Sequence, residues 1–339
     1  MGARHHDADV IVVGGGPAGA AAAIVAASRG LATLLCEHKP ERSLPGESLQ
    51  PGIEPLMIQL GLPDGLAQVS GARNAGVWIS LAGKTSFQAF GGDASGSWQG
   101  WQIRRPAFET LLRNRAAALG AQLLMPCRVR APLLESGCVI GVATEAGPFF
   151  APLVIDASGS ARWLSRSLGL PVARHSPILR VRYGYRTGAC PARDKAPALI
   201  ANQDGWTWSA RIRGGVYQWT RLRVDREALQ TDAPPDELSG LDPLGPSRGA
   251  DVTWRLAQRS AGPGWMITGD AAARLDPASA QGVLRAVMGG MMAGHAAHRH
   301  LREGVELAEP YTRWQTERFF ARANALTGFY RSIGFPGFG

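Results

Sequence analysis

The first strong pattern along the chain is a continuous apolar run, DVIVV at residues 9–13, followed without a break by GGGPAGAAAAIVAASRG. A β-branched run without polar alternation predicts a strand buried on both faces, and the Ala-rich stretch behind it predicts a helix. Gly30 marks the expected helix end, and LATLLCE reads as a second buried strand that finishes on Glu37. A similar order returns far downstream, where GWMITGD reads as an apolar strand, DPASAQG as a loop and VLRAVMGGMMAGHAA as a helix of small residues. Between these regions the pattern changes. ILRVRYGYR alternates, with Val181, Tyr183 and Tyr185 on one face and Arg180, Arg182 and Arg186 on the other, as in a one-sided antiparallel sheet. In DGWTWSARI, Trp206 and Trp208 share one strand face, where plain core packing competes with contact to a substrate. TDAPPDELSGLDPLGPSRG, residues 231–249, has the Pro, Gly and Asp density of a surface loop. Residues 310–332 predict a terminal helix whose Trp314, Phe319, Phe320, Phe329 and Tyr330 cap the sheet region.

With 339 residues, 45% of them hydrophobic and 19% charged, the chain can build a substantial core. Cys36, Cys127, Cys138 and Cys190 show no CxxC or metal-ligand spacing, so neither a disulfide framework nor a zinc site is expected, and a cytoplasmic setting is the simplest expectation. His295, His298 and His300 do not share one helix face, and no metal is expected there either. The opening MGARHHDAD lacks the order of a secretion signal and no apolar run reaches membrane-spanning length, so stable membrane insertion is not expected. The net charge of +9 is concentrated: residues 160–223 hold eleven arginines and one lysine against Asp194 and Asp204, a local excess of about +10. Nothing in the chain resembles a nucleic-acid module.

Gly14, Gly16 and Gly19 form G-x-G-x-x-G between the first strand and helix. The first glycine permits the turn, the second lets a pyrophosphate approach the backbone, and the third lets helix and strand pack closely. Pro17 and Ala18 open the helix, whose N-terminus faces the phosphates. Glu37 ends the second strand, where a carboxylate accepts the ribose hydroxyls of an adenosine. Together these features point to a bound dinucleotide.

The downstream GD…DP-x(4)-G segment resembles the second FAD motif of the aromatic-hydroxylase, flavin-halogenase and geranylgeranyl-reductase superfamily. The resemblance implies that Asp270 holds the ribityl chain of FAD, that Pro277 forms the turn facing the flavin ring, and that Gly282 and Val283 start a helix whose amides face the ring's pyrimidine edge. QIRRPAFETLL resembles the family's R-x-x-F helix, which places Arg105 near the phosphates and ribityl chain, and residues 156–159 resemble its D-x-x-G turn. The implied fold is α/β: a discontinuous FAD-binding, Rossmann-like domain of the GR2 type (residues 1–80, 101–172 and 251–305), an inserted antiparallel substrate sheet (81–100 and 173–250), and a C-terminal helical segment (306–339).

Residues 46–51, G-E-S-L-x-P, are similar to the loop that lies over the flavin in the halogenase-like branch, which assigns Ser48 to the cofactor and Leu49 to the substrate side. Trp206 and Trp208 resemble that branch's W-x-W-x-I-P element, also on the substrate side, although Ala210 and Arg211 replace its Ile and Pro. Glu47 is the one candidate catalytic side chain, as a base or a substrate-orienting group, and it reads equally well as a carboxylate ahead of a helix. The halogenase lysine has no counterpart: the strand after the loop offers Arg73 and Asn74, Lys84 falls in a turn, and Ser279 stands where tryptophan halogenases carry a glutamate. An arginine stays protonated and cannot form the chloramine-like adduct.

What the resemblance then implies is an FAD-dependent monooxygenase that hydroxylates an electron-rich, aromatic substrate through a C4a-hydroperoxyflavin, with O2 as oxidant and NAD(P)H or a partner reductase as donor. The branch includes compact flavoproteins that mature tryptophylquinone cofactors by hydroxylating a tryptophan in a partner protein. The alternatives are a geranylgeranyl-reductase-type saturase, a halogenase, and a non-catalytic flavin-binding accessory protein. The basic segment suggests a substrate presented by an acidic protein, peptide or carrier protein; the competing reading is that its arginines solvate the outer sheet face or bind a nicotinamide phosphate.

Overall fold

The computed structural model describes residues 5–40, 46–94, 96–224 and 234–338. Its first sheet has six strands in the spatial order Gln122–Leu124, Thr33–Cys36, Val10–Val13, Leu153–Asp156, Trp265–Ile267, Ala261–Gly262. The first five run parallel and the last is antiparallel. Every residue of Val10–Val13, Thr33–Cys36 and Leu153–Asp156 is buried, as strands covered on both faces require. The helices Pro17–Ser28 and Gly282–Glu303 approach each other closely at two glycines: a Cβ at Gly290 would run into the Ala18 carbonyl, and one at Gly294 would lie 2.8 Å from both the Ala22 carbonyl and the Val25 side chain.

The second sheet runs Asp242–Pro243, Arg180–Thr187, Val216–Arg223, Gly205–Arg213, Ala198–Asn202, Gly76–Leu81, Lys84–Ala89, with Arg248–Asp251 also paired to Arg180–Thr187. Gly76–Leu81, which the expected boundary at residue 80 left with the flavin domain, joins this sheet by a parallel pairing to Ala198–Asn202. Glu47–Leu49, Gly100–Ile103 and Ser70–Asn74 form a small antiparallel sheet of their own.

Register defines the two faces of the second sheet. Tyr183, Thr220, Trp208, Leu199 and Ile79 align in one row, and Tyr185, Gln218 and Ala210 in the next row on the same face. This inner face meets residue 46, where a Cβ would lie 2.6 Å from the Ile212 side chain. On the outer face the arginines are partly roofed over. Arg182 Nε donates to Ser247 Oγ at 2.6 Å and Arg186 Nη1 to the Leu241 carbonyl at 3.2 Å. Tyr217 and Trp219 bury beside Cys190, Leu238 and Leu241. Of the expected loop 231–249, residues 231–233 lie outside the described residues, and the rest supplies that roof. The terminal helix spans Ala308–Ser332. The aromatics near its end form a cluster in which Tyr330 stacks on Phe338 at 4.3 Å between centroids and contacts Trp254 and Phe335.

Candidate flavin-binding site

Gly14 adopts φ +105°, a left-handed conformation that favours glycine, and a Cβ there would lie 2.6 Å from the Ala157 carbonyl oxygen. The D-x-x-G turn therefore packs directly onto the Gly-rich turn. It is held by its own aspartate: Asp156 accepts from Ser158 N at 2.8 Å and Leu164 N at 2.9 Å. Above Gly16 the space is open, since a Cβ would find only Glu109 Oε1, at 3.9 Å. The helix Pro17–Ser28 starts there without a side-chain cap, leaving its first N–H groups free for an anion. A pyrophosphate fits this cradle.

Glu37 is buried at the end of its strand, accepting from Gly15 N and Lys39 N, both at 2.7 Å. These bonds fix the carboxylate beside the Gly-rich turn, where the adenosine ribose is expected. Arg113 braces the same turn, donating to the Gly15 carbonyl at 3.3 Å and the Pro40 carbonyl at 3.2 Å. Arg105 lies between Glu47, at 2.9 Å, and Glu109, at 3.0 Å, and Glu109 in turn lies 3.7 Å from Arg113. Glu109 and Arg113 were not singled out from sequence, although their i, i+4, i+8 spacing from Arg105 puts all three on one helix stripe.

Glu47 is part-buried and tied to Arg105 rather than standing free. Burial raises its pKa, Arg105 opposes that shift, and the negative charge of Asp270 adds to it. The two motifs, more than two hundred residues apart in sequence, thus meet at one place. Ser48 Oγ donates to Gln102 Oε1 at 2.7 Å, and Gln102 Nε2 donates to Asn74 Oδ1 at 3.2 Å, so the Ser48 hydroxyl is committed to the small sheet. Leu49 is buried opposite Trp101. Arg73 stacks 4.0 Å from the centroid of Trp101 and lies 3.5 Å from Glu54, which also accepts the Trp101 indole N–H at 2.9 Å. The chain's lysines are Lys39, Lys84 and Lys195, and all three are exposed.

In the second motif, Asp270 lies in the turn Gly269–Ala271, and Gly269 abuts Ala18 of the first helix. Asp276 is buried and accepts from Ala278 N at 2.8 Å, which fixes the turn Pro277–Ser279, and from Trp254 Nε1 at 2.6 Å. Burial raises its pKa. This anchor was missed from sequence because Trp254 and the neighbouring Tyr330 come from other elements. The Ser279 side chain lies outside the described residues. Gly282 opens its helix without a side-chain cap and Val283 is buried behind it, so amides at this helix start are free to face a ring. Leu284 lies 3.8 Å from where a Gly52 Cβ would be, bringing the helix start against the segment after residue 46.

The two tryptophans separate in role. Trp206 is buried and its indole N–H donates to Tyr330 Oη at 2.9 Å, whereas Trp208 is half-buried in the row with Tyr183 and Thr220. Beside them the buried Tyr185 hydroxyl faces the Gly46 backbone without a well-formed hydrogen bond; burial raises its pKa, the Gly46 backbone opposes that shift, and the nearby Glu47 charge adds to it. Tyr185 is a further site residue that alternation alone could not single out.

Residues 9–172 match the model of the FAD dependent oxidoreductase family. The chain is an FAD-dependent oxidoreductase. A digeranylgeranylglycerophospholipid reductase of Methanopyrus kandleri is 25% identical over 91% of this chain and 84% of its own length. The solved flavin-dependent brominase Bmp2 superposes with a TM-score of 0.83 at 21% identity, over 95% of this chain and 87% of its own. PqsL of P. aeruginosa, solved in complex with 2-aminobenzoylacetate, superposes with a TM-score of 0.81 at 17% identity, over 97% of both chains. The fold shared with these structures thus extends across the second sheet and the terminal helix. Among the described residues no helix is long and apolar enough to cross a membrane.

Proposed function

We propose that the chain is an FAD-dependent monooxygenase that hydroxylates an electron-rich aromatic ring, tryptophan or indole-like, presented by an acidic protein, peptide or carrier protein. The observation that carries this reading is the state of Arg73: the residue nearest the expected halogenase-lysine position is an arginine stacked on Trp101 and paired with Glu54, while all three lysines are exposed. The inner sheet face supports it further. Tyr183, Tyr185, Trp208, Gln218 and Thr220 give that face flat apolar surface together with hydrogen-bonding groups, which suits a polar aromatic ring better than an isoprenoid chain. FAD, when bound, supplies the redox chemistry with O2; NAD(P)H or a partner reductase reduces it. The protein's part is to hold the flavin between its two motifs, to align Glu47 through Arg105, and to keep water from the reacting centre.

The test is turnover by the FAD-loaded protein, reduced photochemically without oxygen and then mixed with O2 and an acidic tryptophan-containing peptide, with and without bromide. The expected product is the peptide heavier by one oxygen, with no bromination. A brominated peptide, or reduction of a prenyl alkene without oxygen uptake, would replace this reading.

A further inference from the structure

Beside Asp270 a small cleft, open to solvent, lies between the start of the helix Gly282–Glu303 and the terminal helix. Its charged and polar lining is Arg285, Arg318, Arg322, Gln315 and Asp270, with Trp314 as an aromatic wall. Trp314, Arg318 and Arg322 follow at four-residue spacing and form one helical stripe. The Arg318 guanidinium lies 5.2 Å from the Trp314 ring centroid, with Nη2 3.4 Å from Met288 Sδ. Arg285 comes from the facing helix and donates to the Ala273 carbonyl at 2.8 Å.

Three guanidiniums thus surround one cleft whose single lining carboxylate is Asp270. Like charges at i, i+4 repel on a helix surface, and a third cation opposite them adds to the repulsion. The pKa of Arg285 is lowered by burial and by Arg318 and Arg322, against the attraction of Asp270, and that of Arg318 by burial and Arg322. A guanidinium does not relieve such strain by losing its proton. An anion in the cleft does.

We propose that this cleft is an oxoanion site that binds a phosphoryl group. Guanidinium forks match the oxygen spacing of phosphate and give charge-assisted, bidentate bonds, and three of them on two different helices define a concave receptor. The phosphoryl group comes either from free phosphate or from a phosphorylated nucleotide such as a nicotinamide donor. The site does not depend on which reaction the flavin performs.

Calorimetric titration of the FAD-loaded protein at low ionic strength, with inorganic phosphate in one arm and NADP+, which cannot reduce the flavin, in the other, tests the proposal. Sodium chloride at matched ionic strength controls for screening. Arg318→Ala/Arg322→Ala should weaken phosphate binding by roughly tenfold or more, with flavin content unchanged. Arg318→Lys/Arg322→Lys keeps the charge without the fork and should weaken it less. Arg313→Ala removes one positive charge from the same helix where Arg313 pairs with Glu309, and should leave binding as it was. Loss in both arms identifies a nucleotide phosphoryl group as the ligand; loss for phosphate alone identifies the free ion. No binding at millimolar phosphate, or equal weakening by Arg313→Ala, overturns the site.

Discussion

In the parallel sheet every residue of Val10–Val13, Thr33–Cys36 and Leu153–Asp156 is buried, whereas in the antiparallel sheet Arg180–Thr187 fully buries only Val181 and Gly184. The first region is held by backbone approaching backbone: Gly14 against Ala157, and Gly290 against Ala18. The second is held by side chains reaching other elements: Trp206 to Tyr330, Arg193 to Glu237, and Arg182 to Ser247. Close backbone packing demands glycine and alanine at fixed positions and tolerates no side chain. A sheet with polar side chains on its faces satisfies them one by one. The flavin half is therefore rigid in its residue requirements, and the second sheet is less so.

The sharpest way to break this contrast is Gly290→Val. The new side chain would have to displace the Ala18 backbone beside the Gly-rich turn. The expected loss is about 4 kcal/mol or more, among the largest single-residue effects, with flavin content falling as the first helix shifts. Urea unfolding and the flavin-to-protein absorbance ratio check it; near-wild-type values for both would mean that the helices can separate without harm.

In the other half, Trp206→Phe removes the bond to Tyr330 while keeping most of the apolar packing. A loss of about 1 kcal/mol is expected, with flavin content unchanged, because the defect stays on the side of the terminal helix. A large fall in flavin content would show that the two halves are not separable in this way.

The smallest effect sits at the junction, in the pH dependence contributed by Asp276. Its native pKa is raised by burial, so its contribution to stability is full below the ordinary aspartate pKa and is lost as pH rises through the native value. Asp276→Asn keeps an uncharged side chain there at every pH. Between about pH 4 and about pH 7 the urea midpoint of the variant should therefore rise relative to wild type. A constant or opposite difference would place the charged carboxylate as the favoured form, held by Trp254 and Ala278.

Much of the flavin site was legible before any tertiary structure. The positive φ of Gly14, the open space above Gly16 and the buried Glu37 at the strand end follow from local requirements that confine residue type to a few positions within one strand–helix–strand unit. Arg105 and Asp270 could be placed by motif, but the neighbours that orient them could not. The pairing of Arg105 with Glu47 spans 58 residues, and the bond from Trp206 to Tyr330 spans 124. The charge of residues 160–223 is likewise not balanced within that window alone: Glu237, outside it, pairs with Arg193 and bonds Ser209.

The sequence by itself determined the dinucleotide cradle, the parallel sheet and the alternating character of the second sheet, because periodicity and glycine placement are written in consecutive residues. Tertiary structure alone decided that Gly76–Leu81 crosses to the second sheet, that Asp276 is fixed by Trp254, and that Arg285, Arg318 and Arg322 surround one cleft. Those outcomes depend on which distant surfaces come together when the apolar faces are buried, and no local pattern encodes that partner choice.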